Sequence, residues 1–125
     1  MKRAVMTVAI LAAGLVQAAP AMAGDAALGK TVFAAQCAMC HTVTKGGPTI
    51  MGPNLFGLVG RKSGSVANFA YSKSMKALGV TWTEDKLRAY LPAPATMVPG
   101  TKMAFGGIKN PAQLDNLVAY LVSLK

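Results

Sequence analysis

Cys37-Ala38-Met39-Cys40-His41 constrains this chain more than any other stretch, because it holds both cysteines and the only histidine. Two thiols separated by two residues, with an imidazole directly after the second, form the pattern of covalent haem attachment. The spacing has a chemical reason. On one turn of helix the two sulfurs can reach the two vinyl groups on one edge of a porphyrin. The next side chain then lies over the ring face, where a nitrogen can ligate iron. A chain anchored in this way folds around a large apolar plate and not only around its own side chains. The motif alone leaves other readings open. A bare Cys-x-x-Cys also occurs as a dithiol redox pair. It can be half of a zinc site, although structural zinc usually takes four Cys or His ligands and three are present here. It can also be a chance run, or a tight disulfide of little stabilising value.

The amino terminus supplies an address. Met1-Lys2-Arg3 is positively charged, Ala4 to Val16 is apolar and uncharged, and Ala21-Met22-Ala23 is a small-x-small cleavage signal. This order is that of a secretory signal peptide, with cleavage expected between Ala23 and Gly24. The expected plan is a cleaved leader over 1–23 and one domain over 24–125. The leader's apolar run is shorter than the ~20 residues of a membrane span, and its alternative is an uncleaved amino-terminal anchor. No later stretch is long and apolar enough to cross a bilayer, so the 53% hydrophobic content, inflated by the leader, does not indicate a membrane protein. Haem attachment to such a motif follows export in bacteria. Motif and address therefore agree on the periplasm.

Charge narrows the partners. Thirteen Lys+Arg stand against Asp25, Glu84, Asp85 and Asp115, for a formal charge of +9, and two of the cations lie in the leader. With no basic run and no aromatic stacking motif, nucleic acid is excluded as a partner. Scattered lysines serve most simply as a solvated surface; the functional alternative is steering toward acidic proteins.

Along the chain, Leu28, Val32, Phe33 and Cys37 predict a helix from Asp25 to Cys40, with Asp25 as its N-cap. Gly46 to Gly64 is rich in glycine and reads as loops. A short helix is expected over Tyr71 to Leu78, closed by Gly79. Thr83 caps another over Glu84 to Leu91, halted by Pro92 and Pro94. Pro92 to Gly107 reads as a stiff irregular loop. Asn110 and Pro111 then start a final helix whose apolar stripe is Leu114, Leu117, Val118, Leu121 and Val122. No period-2 run predicts a strand. The fold class is all-α, with loops long enough to wrap a cofactor.

Iron with one histidine ligand has a sixth position, and a methionine thioether there raises the potential and favours electron transfer. Met39 lies within the attachment motif, on the histidine side, and is ruled out. Met51, Met75, Met97 and Met103 stay open on physical grounds. Met103 is preferred for its place after Pro99-Gly100-Thr101-Lys102, a loop able to approach the opposite ring face.

Five segments carry a family resemblance: Cys37-Ala-Met-Cys-His41-Thr-Val, Gly52-Pro53-Asn54-Leu55, Gly60-Arg61-Lys62-Ser63-Gly64, Gly79-Val-Thr-Trp82 and Pro99-Gly-Thr-Lys-Met103. In order and interval, from about Ala27 to Lys125, the chain resembles the class I cytochromes c, the group of mitochondrial cytochrome c and bacterial cytochrome c2. The resemblance implies a small all-α fold wrapped around one haem c, covalent through Cys37 and Cys40. It implies His41 and Met103 as the iron ligands, with the Pro53 carbonyl accepting from the His41 ring. By the same likeness Arg61, Tyr71 and Trp82 surround the haem propionates, and Tyr90 and Thr101 line the methionine side. Gly29, Phe33, Leu117 and Tyr120 match the contact between first and last helices.

Two departures from the family stand out. Met75 occupies a place where many members have a polar asparagine near the propionates. Mitochondrial members also ring the haem edge with lysines, where this chain has Thr31, Gln36, Pro48, Ile50, Ala95 and Asn110, keeping Lys102 and Lys109. The docking face is therefore expected to be more apolar and less sensitive to salt. The implied function is that of a monomeric one-electron carrier without enzymatic turnover. It would shuttle between a quinol-cytochrome c oxidoreductase-like donor and an oxidase or reaction-centre-like acceptor. The alternatives are a haem subunit of a periplasmic dehydrogenase, or a weak peroxidase if Met103 is labile.

Overall fold

In the computed structural model, which describes residues 9–10, 12–15 and 24–125, the first helix begins as Asp25 directs. The leader expected over 1–23, with its cleavage site, lies for the most part outside these residues. The Asp25 carboxylate accepts from the backbone N–H groups of Ala27 and Leu28 at 2.8 and 3.2 Å, satisfying two donors that helix α1 (Ala26–Gln36) leaves unpaired. The helix stops before the cysteines. Cys37 leaves helical geometry (φ −122°), and the Ala38 N–H turns back to the Phe33 carbonyl. Cys37 to His41 forms a separate turn instead, closed by a bond of 3.0 Å from His41 N–H to the Cys37 carbonyl. The expected single helix from Asp25 to Cys40 is corrected accordingly.

The remaining helices follow their caps. Ser72 opens α2 (Lys73–Leu78), and Gly79 closes it in the left-handed region (φ 63°). Thr83 opens α3 (Glu84–Tyr90), with Glu84 and Asp85 complementing the positive end of the helix dipole. Asn110 caps α5 (Pro111–Ser123), whose first residue is a proline that has no N–H to waste. The loop expected over Pro92 to Gly107 contains one further turn, α4 (Pro94–Met97), which starts at a proline in the same way. No strand forms among the described residues. A single antiparallel bridge pairs Lys62 with Thr81, flanked by bonds between Gly60 and Trp82 and between Ser63 and Val80. That bridge fixes the far end of α2.

The core is the crossing of α1 with α5, with α3 packed beside α5. Leu117 and Val118 of α5 are wholly buried, and Phe33 of α1 packs its ring against Tyr120 at 5.6 Å. Gly29 makes the crossing possible, because a Cβ there would lie 1.9 Å from the Asn116 carbonyl oxygen. Arg88 ties α3 to α5 by pairing with Asp115, and it pairs with Glu84 within its own helix at 3.0 Å. These helices form one wall of a cavity. The loops from Cys40 to Phe69 and from Thr101 to Phe105 supply the others.

Candidate functional site

His41 stands at one wall, on the turn that follows α1. Its Nδ1 lies 2.7 Å from the Pro53 carbonyl oxygen, so Nδ1–H donates and Nε2 keeps its lone pair. Burial lowers the proton affinity of the ring, with the Pro53 bond pulling the other way. The ring is confined from behind by Gly52, where a Cβ would meet His41 Cε1 at 2.5 Å. Gly52 is itself pinned by its N–H to the Cys40 carbonyl at 2.7 Å.

Cys37 and Cys40 flank this wall as free thiols, each half-buried. Burial, and then the neighbouring Cys40, pushes the Cys37 thiol up to about 11. A dithiol redox pair needs the opposite shift, so that reading loses its support. No group of three His, Cys, Asp or Glu side chains able to hold a metal ion gathers among the described residues, which leaves the zinc reading without ligands.

Another part of the same lining carries sulfur. Met103 is partly buried beside Tyr90, whose hydroxyl lies 4.0 Å from the thioether. Burial pushes the Tyr90 phenol up, and the Thr101 hydroxyl offsets part of that shift. Thr101 Oγ1 also accepts from the Met103 N–H at 3.2 Å, which fixes the loop next to the sulfur. The methionines left open by sequence separate here. Met51 lies beside Cys40, sulfur to sulfur at 4.0 Å, and so on the histidine side. Met97 packs against the core without lining the cavity, whereas Met51, Met75 and Met103 all line it.

Cys37, Cys40, His41, Pro53, Arg61, Tyr71, Trp82, Tyr90, Thr101 and Met103 all border this one cavity, of about 240 Å³. One water needs only ~10–15 Å³ on the same measure, so the space is far larger than a packing defect. Its charge is equally informative. Arg61, Lys62 and Lys102 line it, and no carboxylate does. The Arg61 guanidinium is held by two backbone carbonyls, Asn54 at 2.8 Å and Phe56 at 2.6 Å, which orient it without neutralising it. Burial lowers its proton affinity, yet an arginine stays cationic. The Tyr71 hydroxyl accepts from the Val66 N–H at 3.1 Å, leaving its own proton to donate. Trp82 is buried against Tyr90, ring centres 5.0 Å apart. Cationic and donor groups without a protein anion fit a ligand that brings carboxylates of its own.

Sequence reasoning missed much of the apolar lining, including Leu55, Leu58, Phe69, Leu87 and Phe105. Leu117 and Leu121 were legible as the buried stripe of α5, but periodicity does not say what a stripe faces. Gly52 was legible only as part of a Gly-Pro pair; its closeness to His41 is a tertiary fact.

A large apolar cavity, lined by two cysteines and by an imidazole fixed through its Nδ1, fits a protein of the covalent-haem class. Comparison makes the assignment definite. The family model described as Cytochrome c matches residues 26–125. The chain is 50% identical to cytochrome c of Chlamydomonas reinhardtii over 103 residues, 82% of this chain and 92% of that protein. It is 44% identical to cytochrome c2 of Blastochloris viridis over 121 residues, 97% of this chain and 92% of that protein. The chain belongs to the cytochrome c family, whose members are electron carriers. Its cofactor is one haem c, held covalently through Cys37 and Cys40.

Proposed function

We propose that this chain is an exported, periplasmic one-electron carrier with His41 and Met103 as the two axial ligands of its haem iron. The observation that carries the reading is one cavity lined both by an imidazole fixed to the Pro53 carbonyl and by the Met103 thioether beside Tyr90. Haem c supplies a reversible one-electron iron couple. His41 contributes a basic nitrogen strengthened by its bond to Pro53. Met103 contributes a neutral, soft sulfur that favours the ferrous state and raises the potential. Arg61, Tyr71 and Trp82 would meet the two propionates with charge and donors and would help both stay ionised away from bulk water. Tyr90 and Thr101 keep the sulfur in place.

With His41 and Met103 both holding the iron, no position on it would be left for a substrate, which would favour electron transfer over turnover. Among the described residues, no helix is long and apolar enough to cross a membrane. In this reading a monomer moves between a quinol-oxidising membrane complex and a terminal oxidase or other acceptor, meeting each through a small transient interface. The leader over 1–23 directs export, and 24–125 is the working domain. The test uses purified holo-protein with membranes containing a quinol-cytochrome c oxidoreductase and an oxidase. Quinol-dependent reduction followed by complete reoxidation is expected, without accumulation of peroxidase product. Failure to cycle between the two complexes contradicts the proposal.

A further inference from the structure

Two ties join the segment around α2 to the loop that carries Met103. Ser74 Oγ donates to the Pro99 carbonyl, and Lys102 Nζ donates to the Ala70 carbonyl at 2.9 Å. They span 25 and 32 residues of sequence, so neither is a product of local turn geometry. Mechanically they differ. The Lys102 bond hangs on a long exposed stem, whose ordering costs side-chain entropy that a short serine does not lose. Ser74 has one rotor and stands on a helix closed at both ends. Ser72 Oγ accepts from the Met75 N–H at 3.1 Å, Gly79 ends α2 in the left-handed region, and the Lys62–Thr81 bridge lies behind it.

The restraint has a continuous route to the sulfur. Pro99, with its fixed φ, follows the fully buried Val98. The Thr101 N–H returns to the Val98 carbonyl at 3.0 Å, and Thr101 Oγ1 accepts from Met103 N–H. Fixing Pro99 therefore fixes the turn, and the turn fixes Met103.

We propose that Ser74 is a positioning residue for Met103: its hydroxyl, bonded to the Pro99 carbonyl, holds the methionine loop against the cavity and sets how readily the thioether is displaced. The proposal rests on Met103 being the distal ligand. An added ligand reaches the iron only when the loop swings away, so its apparent affinity scales with the fraction of molecules in the open state. A hydrogen bond made only in the closed state keeps that fraction small.

The test is a titration of the ferric holo-protein with imidazole, followed in every variant by the shift of the main haem (Soret) absorption band. Ser74→Ala is expected to bind imidazole about 3- to 10-fold more tightly than wild type, the fold-change of one hydrogen bond. Ser74→Thr, which keeps the hydroxyl, is expected to restore wild-type affinity. Ser123→Ala removes another seryl bond, to the Tyr120 carbonyl at 2.5 Å in the last turn of α5, and is expected to leave the affinity unchanged. Equal affinities in Ser74→Ala and wild type overturn the proposal, as does an equal gain in Ser123→Ala. Met103→Ala separates this claim from the one beneath it. Tighter binding in Met103→Ala with an unmoved Ser74→Ala defeats the tie alone. A Met103→Ala protein that binds imidazole as wild type does defeats the ligand assignment itself.

Discussion

At Gly52 a methyl group would sit 2.5 Å from His41 Cε1 and 3.1 Å from the Cys40 carbonyl oxygen. Neither neighbour can retreat cheaply, since His41 is bonded to Pro53 and Cys40 receives the Gly52 N–H. Gly52→Ala is therefore expected to rotate the imidazole and destabilise the holo-protein by about 1–3 kcal/mol. Thermal unfolding with the haem absorbance as probe checks this, and an unchanged midpoint counts against it. The sequence showed a Gly-Pro pair here but not why glycine is needed. The reason lies in the approach of a ring from eleven positions earlier, which local pattern cannot reveal. His41 was different: its part was legible at once, because the chemistry of the attachment motif is itself local.

At the scale of elements, the crossing of α1 and α5 holds the histidine wall, and Gly29 sets its closeness. Gly29→Val places a side chain where the Asn116 carbonyl already lies, so the helices must part. Chemical denaturation is expected to show a loss of at least ~2 kcal/mol, and a variant as stable as wild type rejects this account of the crossing. Leu117 is wholly buried and borders the cavity, so Leu117→Ala should cost about 2–5 kcal/mol and loosen the haem pocket as well. Arg88 marks the contrast. Its pairs with Glu84 and Asp115 are partly exposed, and Arg88→Ala is expected to cost no more than about 1 kcal/mol in the same denaturation experiment. Three helix starts were readable because Asp25, Thr83 and Asn110 act through bonds two or three residues away, whereas α2 starts at Lys73 behind its Ser72 cap and not at the expected Tyr71. Two further local features were not readable. The end of α1 at Gln36 depends on the turn that carries the cysteines, and α4 is a single turn hidden among prolines.

The whole molecule presents a largely apolar cavity whose lining carries Arg61, Lys62 and Lys102, with further apolar side chains exposed near the attachment turn. Met39, Ile50 and Met51 are exposed around Cys40, while the four carboxylates of the described residues serve caps and the Arg88 pairs or lie at the start of α3. A partner meeting this face is expected to be held more by apolar contact than by charge. Between ~0.01 and ~0.15 M ionic strength the bimolecular rate of electron transfer is therefore expected to fall less than about threefold. A fall of about tenfold or more contradicts that expectation. The all-α class, the cofactor and the family were legible in the sequence because one motif and four short segments recur at family spacing. The apolar lining was not, because residues such as Leu58, Phe69 and Phe105 meet only after the loops close around the cavity.

The central claim is that His41 and Met103 close the iron from opposite sides. X-ray absorption at the iron edge, on wild type and Met103→Ala, tests it most directly. The account predicts one sulfur scatterer among the nearest neighbours of the iron in wild type and its loss in Met103→Ala. Sulfur that persists in the variant, or that is missing from wild type, contradicts the account.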